Sequence, residues 1–433
     1  AGHGCDPFEI YLVDDATPWR DGCKLFQVLL APFQEGITGI MTAPQFCFRM
    51  IHSQDRARAG EIQTPHGPVL TPAFMPVATQ ASVKGLSPDE VSAVGTEIVL
   101  SNAYHLHLRP GVETVHRLGG LHRFMGWTGP ILTDSGGFQA FSMGALRRVD
   151  DEGILFRSHF DGSEHFLSPE LATLNQQRLG ADIIMCLDQC IAYGAGRKEV
   201  RRAMERTHRW AEACYRSHAG SEAEKHQALF GIVQGGTIEE LREESARIIS
   251  AIPFQGYAIG GLAVGESKEQ MYRISGQVAA LLPWDKPRYL MGVGSPEDLL
   301  ECVAQGADMF DCVLPTRVGR NGAVFTGLGR LDITKSHFMD QEGPVEEDCD
   351  CYTCRNFSAA YLCHLFRAKE LLGQRLASIH NLRFIMRLMA GMRQAIVEGR
   401  FDHFRREFHE RYSPTNEAAR QEQKTKWLRA RGD

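Results

Sequence analysis

The sequence predicts an α/β fold, a (β/α)8 TIM barrel that carries a small cysteine-bearing subdomain near its C-terminus. Three observations predict it. Eight short runs rich in β-branched and apolar residues alternate with longer stretches of helical period between Thr71 and about residue 316. The runs are nearly continuous in apolar character, the pattern of parallel strands covered on both faces by helices. Well past the last run, Cys349, Cys351 and Cys354 crowd into six residues.

The strand candidates are 71–77 (TPAFMPV), 97–102 (EIVLSN), 130–135 (PILTDS), 182–188 (DIIMCLD), 229–234 (LFGIVQ), 256–261 (GYAIGG), 288–293 (RYLMGV) and 308–314 (DMFDCVL). The helices between them have recognisable starts. Ser168-Pro169-Glu170 puts a capping residue before a proline at the first helical position, and Ser295-Pro296-Glu297 repeats the arrangement. The organisation expected is an extension without clear period over 1–48, a barrel carrying the active site over 49–330, a zinc-binding subdomain with closing helices over 331–412, and a basic tail over 413–433.

A chain of 433 residues suffices for one large barrel with an appended subdomain. No apolar run approaches the roughly 18 residues of a membrane span; the best candidate, 25–33, is short and holds Gln27 and Pro32. Asp6, Glu9, Asp14 and Asp15 stand where a secretory signal would be basic. The expectation is a cytoplasmic protein with no membrane partner. In that reducing setting, twelve cysteines mean buried thiols, such as Cys186 in its apolar run, plus one metal site. A formal charge of −6 does not exclude a nucleic-acid partner, because a basic face can be local, as it is over 400–431.

The strand ends carry the chemistry. Most runs finish in or near a residue able to react or to let backbone approach closely: Asn102, Asp134, Asp188, Gln234, Gly261 and Asp311. In such a barrel the C-terminal strand ends form the active-site face. One terminal Asp is an ordinary turn residue, whereas several polar ends converging on one mouth make a site. Carboxylates on separate strands suit glycosidic chemistry, one attacking an anomeric carbon and another handling protons. Asp308 and Asp311 face opposite sides of an extended strand, and Asp311 is nearer the mouth. Glycines at 235–236, 260–261, 292 and 294 leave room for a flat heterocycle against the backbone.

Cys349-x-Cys351-x2-Cys354 lets one tight loop wrap a tetrahedral ion. His380 is the first choice for fourth ligand, with His337, Cys363 and His364 competing. A closed set of three cysteines and one histidine describes one structural zinc per chain. His105-x-His107 opens a rival reading as a metal-dependent barrel hydrolase. Against it, the pair follows the second strand candidate, and no complementary histidines stand at later strand ends. The terminal Arg431-Gly432-Asp433 reads as chance.

Taken in order, TPAFMPVATQASVKG, SNAYHLHLRPG, ILTDSGGFQ, GGLAVGE, YLMGVG, MFDCVLPTR and the cysteine cluster with His380-Asn381 resemble the tRNA-guanine transglycosylases, the bacterial type in particular, over about 50–412. The resemblance implies a (β/α)8 barrel with an inserted zinc subdomain. Asp311 then matches the nucleophile that attacks the target ribose, and Asp134 the acid/base residue. Asp188, Gln234, Gly261 and Leu262 match groups that read the purine, with Ser135 beside them in the base site. Phe138 and Met291 match the apolar plates around the ring. Arg317 and Arg320, just past the nucleophile, are placed to hold phosphates or neighbouring anticodon bases of the tRNA, and Cys349, Cys351, Cys354 and His380 match the zinc ligands.

The implied reaction replaces guanine at the anticodon wobble position with 7-aminomethyl-7-deazaguanine, in tRNAs for Asp, Asn, His and Tyr, as a step toward queuosine. A homodimer through the zinc region is implied as well. Cys190 with Val264 looks bacterial, and the Leu262 carbonyl with Glu266 nearby favours a cationic base. Gln189 stands where bacterial relatives carry Glu, which lowers that preference, and Phe138 replaces Tyr. A second rival, an inactive tRNA-binding homologue, sits poorly with Asp134, Asp188 and Asp311 all being present.

Overall fold

The computed structural model describes residues 46–142 and 148–414. The expected N-terminal extension lies outside the described residues except for 46–48, and the basic tail except for 413–414. All eight expected strands are present. β1 is Ala73–Met75, resumed beyond Pro76 as Val77–Ala78; β2 is Val99–Asn102, β3 Ile131–Asp134 and β4 Ile183–Met185. β5 is Ala228–Val233, β6 Gly256–Ile259, β7 Arg288–Leu290 and β8 Met309–Asp311.

Every neighbouring pair is parallel, and the sheet runs in chain order from β2 to β8. It closes at Pro76. Proline has no N–H for the ladder, and β1 changes partner there: Met75 pairs with Asp311 of β8, Val77 with Leu100 of β2. Strands β2 to β7 are buried along their whole length, which is why their sequences show no alternation. Several end earlier than expected. Asp188, Gln234 and Gly261 stand on the first residues of the following loops, where side chains are released from the wall.

Ser168 caps helix Pro169–Leu179, accepting from the Leu171 amide at 3.2 Å. Ser295 also sits before its helix, but its hydroxyl donates to Asp298 at 2.5 Å, so the second cap does not form. Two small three-stranded antiparallel sheets, and a two-stranded hairpin beyond β8, escaped the sequence reading. One, Arg148–Val149 with Ile154–Arg157 and Glu164–Leu167, interrupts the chain between β3 and the next barrel helix. The other, Cys47–Gln54, Ala57–Thr64 and Gly67–Thr71, lies at the opposite end of the barrel from the mouth.

That second sheet makes the barrel floor. Arg58 is fully buried and grips Asp308, which precedes β8, through Nε at 3.0 Å and Nη2 at 2.5 Å; it also donates to the carbonyls of Trp284 and Lys286. Asp308 therefore serves the floor, as its register opposite Asp311 required. Asp182, before β4, accepts from His66 Nδ1 at 2.7 Å, His122 Nε2 at 3.1 Å and the Ile131 amide at 2.8 Å. Burial pushes its carboxyl up, but the two imidazoles outweigh burial and hold it at about 2.

Beyond β8 come helix Leu314–Arg320, the hairpin Ala323–Thr326 and Gly329–Asp332, and helices Tyr352–Asn356 and Ala359–Arg367. A small separate core including Val324, Ile333, Leu362 and Leu376 holds this part together. The 27-residue helix Leu371–Val397 then runs back along the barrel, where Arg393 donates to the Pro72 carbonyl at 2.9 Å. Among the described residues, no helix is long and apolar enough to cross a membrane.

Candidate active site and metal cluster

The barrel register sets Asn102 beside Asp134. Asn102 caps helix Ala103–Leu108, its side-chain oxygen accepting from the His105 amide at 3.1 Å. Its Nδ2 is thereby left to donate to Asp134 Oδ2 at 2.5 Å, while the Ala103 amide donates to Oδ1 at 3.0 Å. The turn after Asp134 needs its glycines. Gly136 has φ +84°, and a Cβ at Gly137 would lie 2.6 Å from the Asp188 carbonyl and 3.1 Å from its Oδ1. The turn thus presses Asp134 and Ser135 against the end of β4.

Asp188 accepts from Gln234 Nε2 at 2.6 Å, joining the ends of β4 and β5. Asp311 accepts from the Tyr289 hydroxyl at 2.6 Å and the Gly292 amide at 2.8 Å, both on Oδ1. One oxygen is clamped, and Oδ2 lies outside both bonds. The three aspartates are held by amides and a phenol, and among the described residues none forms an ion pair.

Their protonation follows. Burial is the main cause that lifts Asp134 to about 8, and the charges of Asp311 and Asp188 add to it, against the hydrogen bond from Ala103. Burial lifts Asp188 to about 6, against the Gln234 bond. Asp311 is raised by burial too, with Tyr289 and Gly292 opposing. The result is one carboxyl that keeps its proton at neutral pH beside another with a directed oxygen, the pairing acid/base chemistry requires.

The remaining expected site residues surround this set. Phe138, 45% exposed, follows the glycine turn, and Met291, half-buried, follows β7. Gly261, with φ +66°, and buried Leu262 follow β6. Arg317 is exposed and Arg320 half-buried on the helix just after Asp311; Arg320 Nη1 is a buried donor with no partner among the described residues. Asn381 ties this helix to the following hairpin, donating to the carbonyls of Pro315 and Ala323 at 2.9 Å each.

Sequence reasoning missed Tyr289, a phenol between Arg288 and Leu290 in β7, and Arg206. Arg206 Nη1 donates to Gln189 Oε1 at 2.7 Å, while its Nε pairs with Asp151 at 2.9 Å. Glu266 accepts from the backbone amides of Ala263, Val264 (3.1 Å) and Gly265 (3.2 Å). His105 and His107 are engaged elsewhere: His107 pairs with His165 at 3.1 Å, and His105 packs edge-on to Tyr104.

Cys349, Cys351, Cys354 and His380 form a cluster able to hold a metal ion. The three sulfurs lie 3.6, 3.7 and 3.3 Å from His380 Nδ1. A tetrahedral ion with M–S near 2.3 Å and M–N near 2.1 Å puts S and N about 3.6 Å apart, so the cluster fits. His380 Nε2 faces the Phe325 carbonyl at 2.6 Å, which directs Nδ1 at the thiols. Of the competing ligands, Cys363 turns its thiol to the Lys335 carbonyl. A second group, His66, His122 and Asp182, is close enough for an ion but is shaped otherwise. Its imidazoles stack at 3.5 Å and 14°, and an ion cannot lie in both ring planes when the planes are nearly parallel. It is a hydrogen-bonded clamp.

The family model described as queuine tRNA-ribosyltransferase matches residues 53–414. The chain is 55% identical over 357 residues to a queuine tRNA-ribosyltransferase of Moorella thermoacetica, covering 82% of this chain and 95% of the relative. It is 52% identical over 383 residues to one of Dehalococcoides mccartyi, covering 88% and 97%. Against one of Herpetosiphon aurantiacus it is 52% identical over 391 residues, covering 90% and 99%.

Cys351→Ser should cut the metal bound per chain to a small fraction of the wild-type amount and lower the thermal midpoint by roughly 5 °C or more, because an ion at this cluster would tie the loop of Cys349, Cys351 and Cys354 to helix Leu371–Val397. Plasma emission and circular dichroism check this. Full metal content in the variant would place the ion elsewhere.

Proposed function

This chain belongs to the queuine tRNA-ribosyltransferase family, and we propose that it exchanges guanine at the anticodon wobble position of tRNA for 7-aminomethyl-7-deazaguanine. It is a pentosyltransferase acting in queuosine biosynthesis. The observation that carries the reading is the mouth itself: Asp134 buried and raised to about 8, with Asp311 clamped through Oδ1 alone.

Asp311 Oδ2 attacks C1′ of the ribose. The C1′–N9 bond breaks and its electron pair leaves with guanine, which takes the proton of Asp134. A covalent ribosyl ester on Asp311 remains. The incoming base gives a proton back to Asp134 and attacks C1′, releasing Asp311; two inversions give net retention. An unpaired loop base is extruded at a cost of only a few kcal/mol, offset by stacking between Phe138 and Met291 and by hydrogen bonds to Ser135, Asp188, Gln234, Gly261 and Leu262.

The cationic aminomethyl group goes to the Leu262 carbonyl. The Ala263 N–H is turned to Glu266, and a trans peptide sends its carbonyl the opposite way. Arg317 and the unpartnered donor of Arg320 bind the phosphates of the anticodon loop, in tRNAs for Asp, Asn, His and Tyr. Cys349, Cys351, Cys354 and His380 would hold one structural zinc, which neutralises the thiolates and takes no part at the mouth. The exposed rings of Tyr352 and Tyr361, bridged by Phe357 at 5.7 and 5.4 Å, support a homodimer through this region. We place the reaction in the cytoplasm, with its tRNA.

Asp311→Ala should lower incorporation of labelled guanine into an anticodon stem-loop by ~10³-fold or more, with the stem-loop still bound; normal exchange would end the nucleophile assignment. The rate should follow a bell in pH. Its basic limb reports loss of the Asp134 proton near about 8, and its acidic limb, above the ordinary carboxylate range, reports protonation of Asp311. A rate constant from about pH 5 to 9 would contradict the assignment. In competition on one stem-loop, 7-aminomethyl-7-deazaguanine should displace guanine at equal concentration; a preference for guanine would point to a neutral base as substrate.

A further inference from the structure

Helix Glu239–Ser250 follows β5, and near its start stands Arg242, whose side chain is fully buried. A guanidinium in such a place ordinarily faces a carboxylate, because burying a charge without a counter-charge is costly. Arg242 instead gives its hydrogen bonds to four backbone carbonyls, with Glu266 felt only through its charge: Nε to Gly236 at 2.7 Å, Nη1 to Val233 at 3.0 Å and Gly260 at 2.7 Å, and Nη2 to Gly261 at 3.2 Å. Burial lowers its pKa to about 10, so it stays charged at neutral pH.

Those carbonyls belong to the ends of β5 and β6, where Gln234 and Gly261 stand. In a trans peptide the C=O and the following N–H point opposite ways. Drawing the Gly260 and Gly261 carbonyls onto the guanidinium aims the amides of Gly261 and Leu262 away from it. The bend is tight. A Cβ at Gly260 would lie 2.7 Å from Gln234 Nε2, and one at Gly261 2.4 Å from Gln234 Oε1. The Gln234 carboxamide is thus seated on the segment Arg242 holds, and passes its position to Asp188 at 2.6 Å.

We propose that Arg242 is a positioning residue for the base: its planar fork locks the ends of β5 and β6 together so that the Gly261 amide and the Gln234 carboxamide meet one edge of a purine in register. The inference rests on the base-exchange reading of the mouth. Lysine keeps the charge but is a single point with no fork, and cannot hold four carbonyls spread over two strands.

The test compares Arg242→Lys and Arg242→Met with wild type in labelled-guanine exchange, with metal content and circular dichroism to confirm folding. KM for guanine should rise ~10-fold or more in both, least in the lysine variant, since each hydrogen bond misaligned in a buried site is worth about a factor of ten. KM for 7-aminomethyl-7-deazaguanine should rise by the same factor, because the two bases share the edge in question. KM for the stem-loop, and kcat at saturating base, should stay within about twofold of wild type.

Unchanged base KM in a folded variant overturns the proposal, as does an equal rise in the stem-loop KM. Failure of both variants to fold overturns it too, since the guanidinium would then determine the fold and not the site. Wild-type exchange is the separate control: its absence sinks the base-exchange reading, and its presence leaves the arginine on trial alone.

Discussion

Three carboxylates gathered in a low-dielectric mouth, with no cation against them among the described residues, cannot all be ionised, and the rest of the site follows from that restriction. At a few ångströms in a protein interior, two like charges repel by several kcal/mol. Asp134, Asp188 and Asp311 accept from Asn102, Gln234, Tyr289 and backbone amides. These donors orient the oxygens without supplying a charge. A lysine or arginine in their place would pull all three carboxyls down together and leave no acid. Neutral donors allow the proton to settle on Asp134, which is raised by burial and by the charges of both Asp311 and Asp188, while Asp311 keeps a directed oxygen. Tyr289 fits the same logic: burial and the nearby Asp311 hold its phenol protonated, so it remains a donor.

The opposite end of the barrel shows what the same residue type does when a partner is present. Asp308 is gripped by buried Arg58, and Asp182 by two imidazoles and an amide. Both close the floor, tying the N-terminal sheet to the starts of β8 and β4. Removing one partner of such a pair strands the other, typically at a cost of about 3–5 kcal/mol. Two aspartates three positions apart, 308 and 311, therefore divide between holding the barrel shut and serving its mouth. Asp308 stands just before β8 and Asp311 at its end, so the length of the strand separates the roles, and the partner defines each.

The barrel was legible in the sequence because its strands are buried on both faces and read as unbroken apolar runs. The polar ends 134, 188, 234 and 311 stood out against that background, and the cysteine spacing announced three thiol ligands while leaving the fourth a choice among His380, His337, Cys363 and His364. The antiparallel sheets outside the barrel were not legible. Strand Cys47–Gln54 is partly to fully exposed along its length, so it carries no apolar period to find. The strand ends were placed too late, because the apolar pattern continues for a few residues after the ladder stops. Arg206 and Arg242 were missed for a different reason. Each lies on a helix following the strand it serves, and nothing in a helical sequence tells an arginine that faces solvent from one that turns inward.

The charges around the base edge bear on which base is preferred. Glutamate at 189 would be largely neutralised by Arg206, whose Nη1 already holds the Gln189 amide oxygen and whose Nε has Asp151 as counter-ion. Replacing Glu by Gln thus removes a charge that Arg206 would have masked, and in the proposed reaction recognition of a cation falls to the Leu262 carbonyl. That carbonyl is held by a strained arrangement. Ala263 adopts φ +59°, which costs a non-glycine residue about 1 kcal/mol or more, while Glu266 collects three consecutive backbone amides. Turning the peptide over to suit a neutral base would forfeit the Ala263–Glu266 bond. A cationic substituent needs no such reversal, so the strain that Glu266 holds in place at Ala263 suits the base of the proposed exchange.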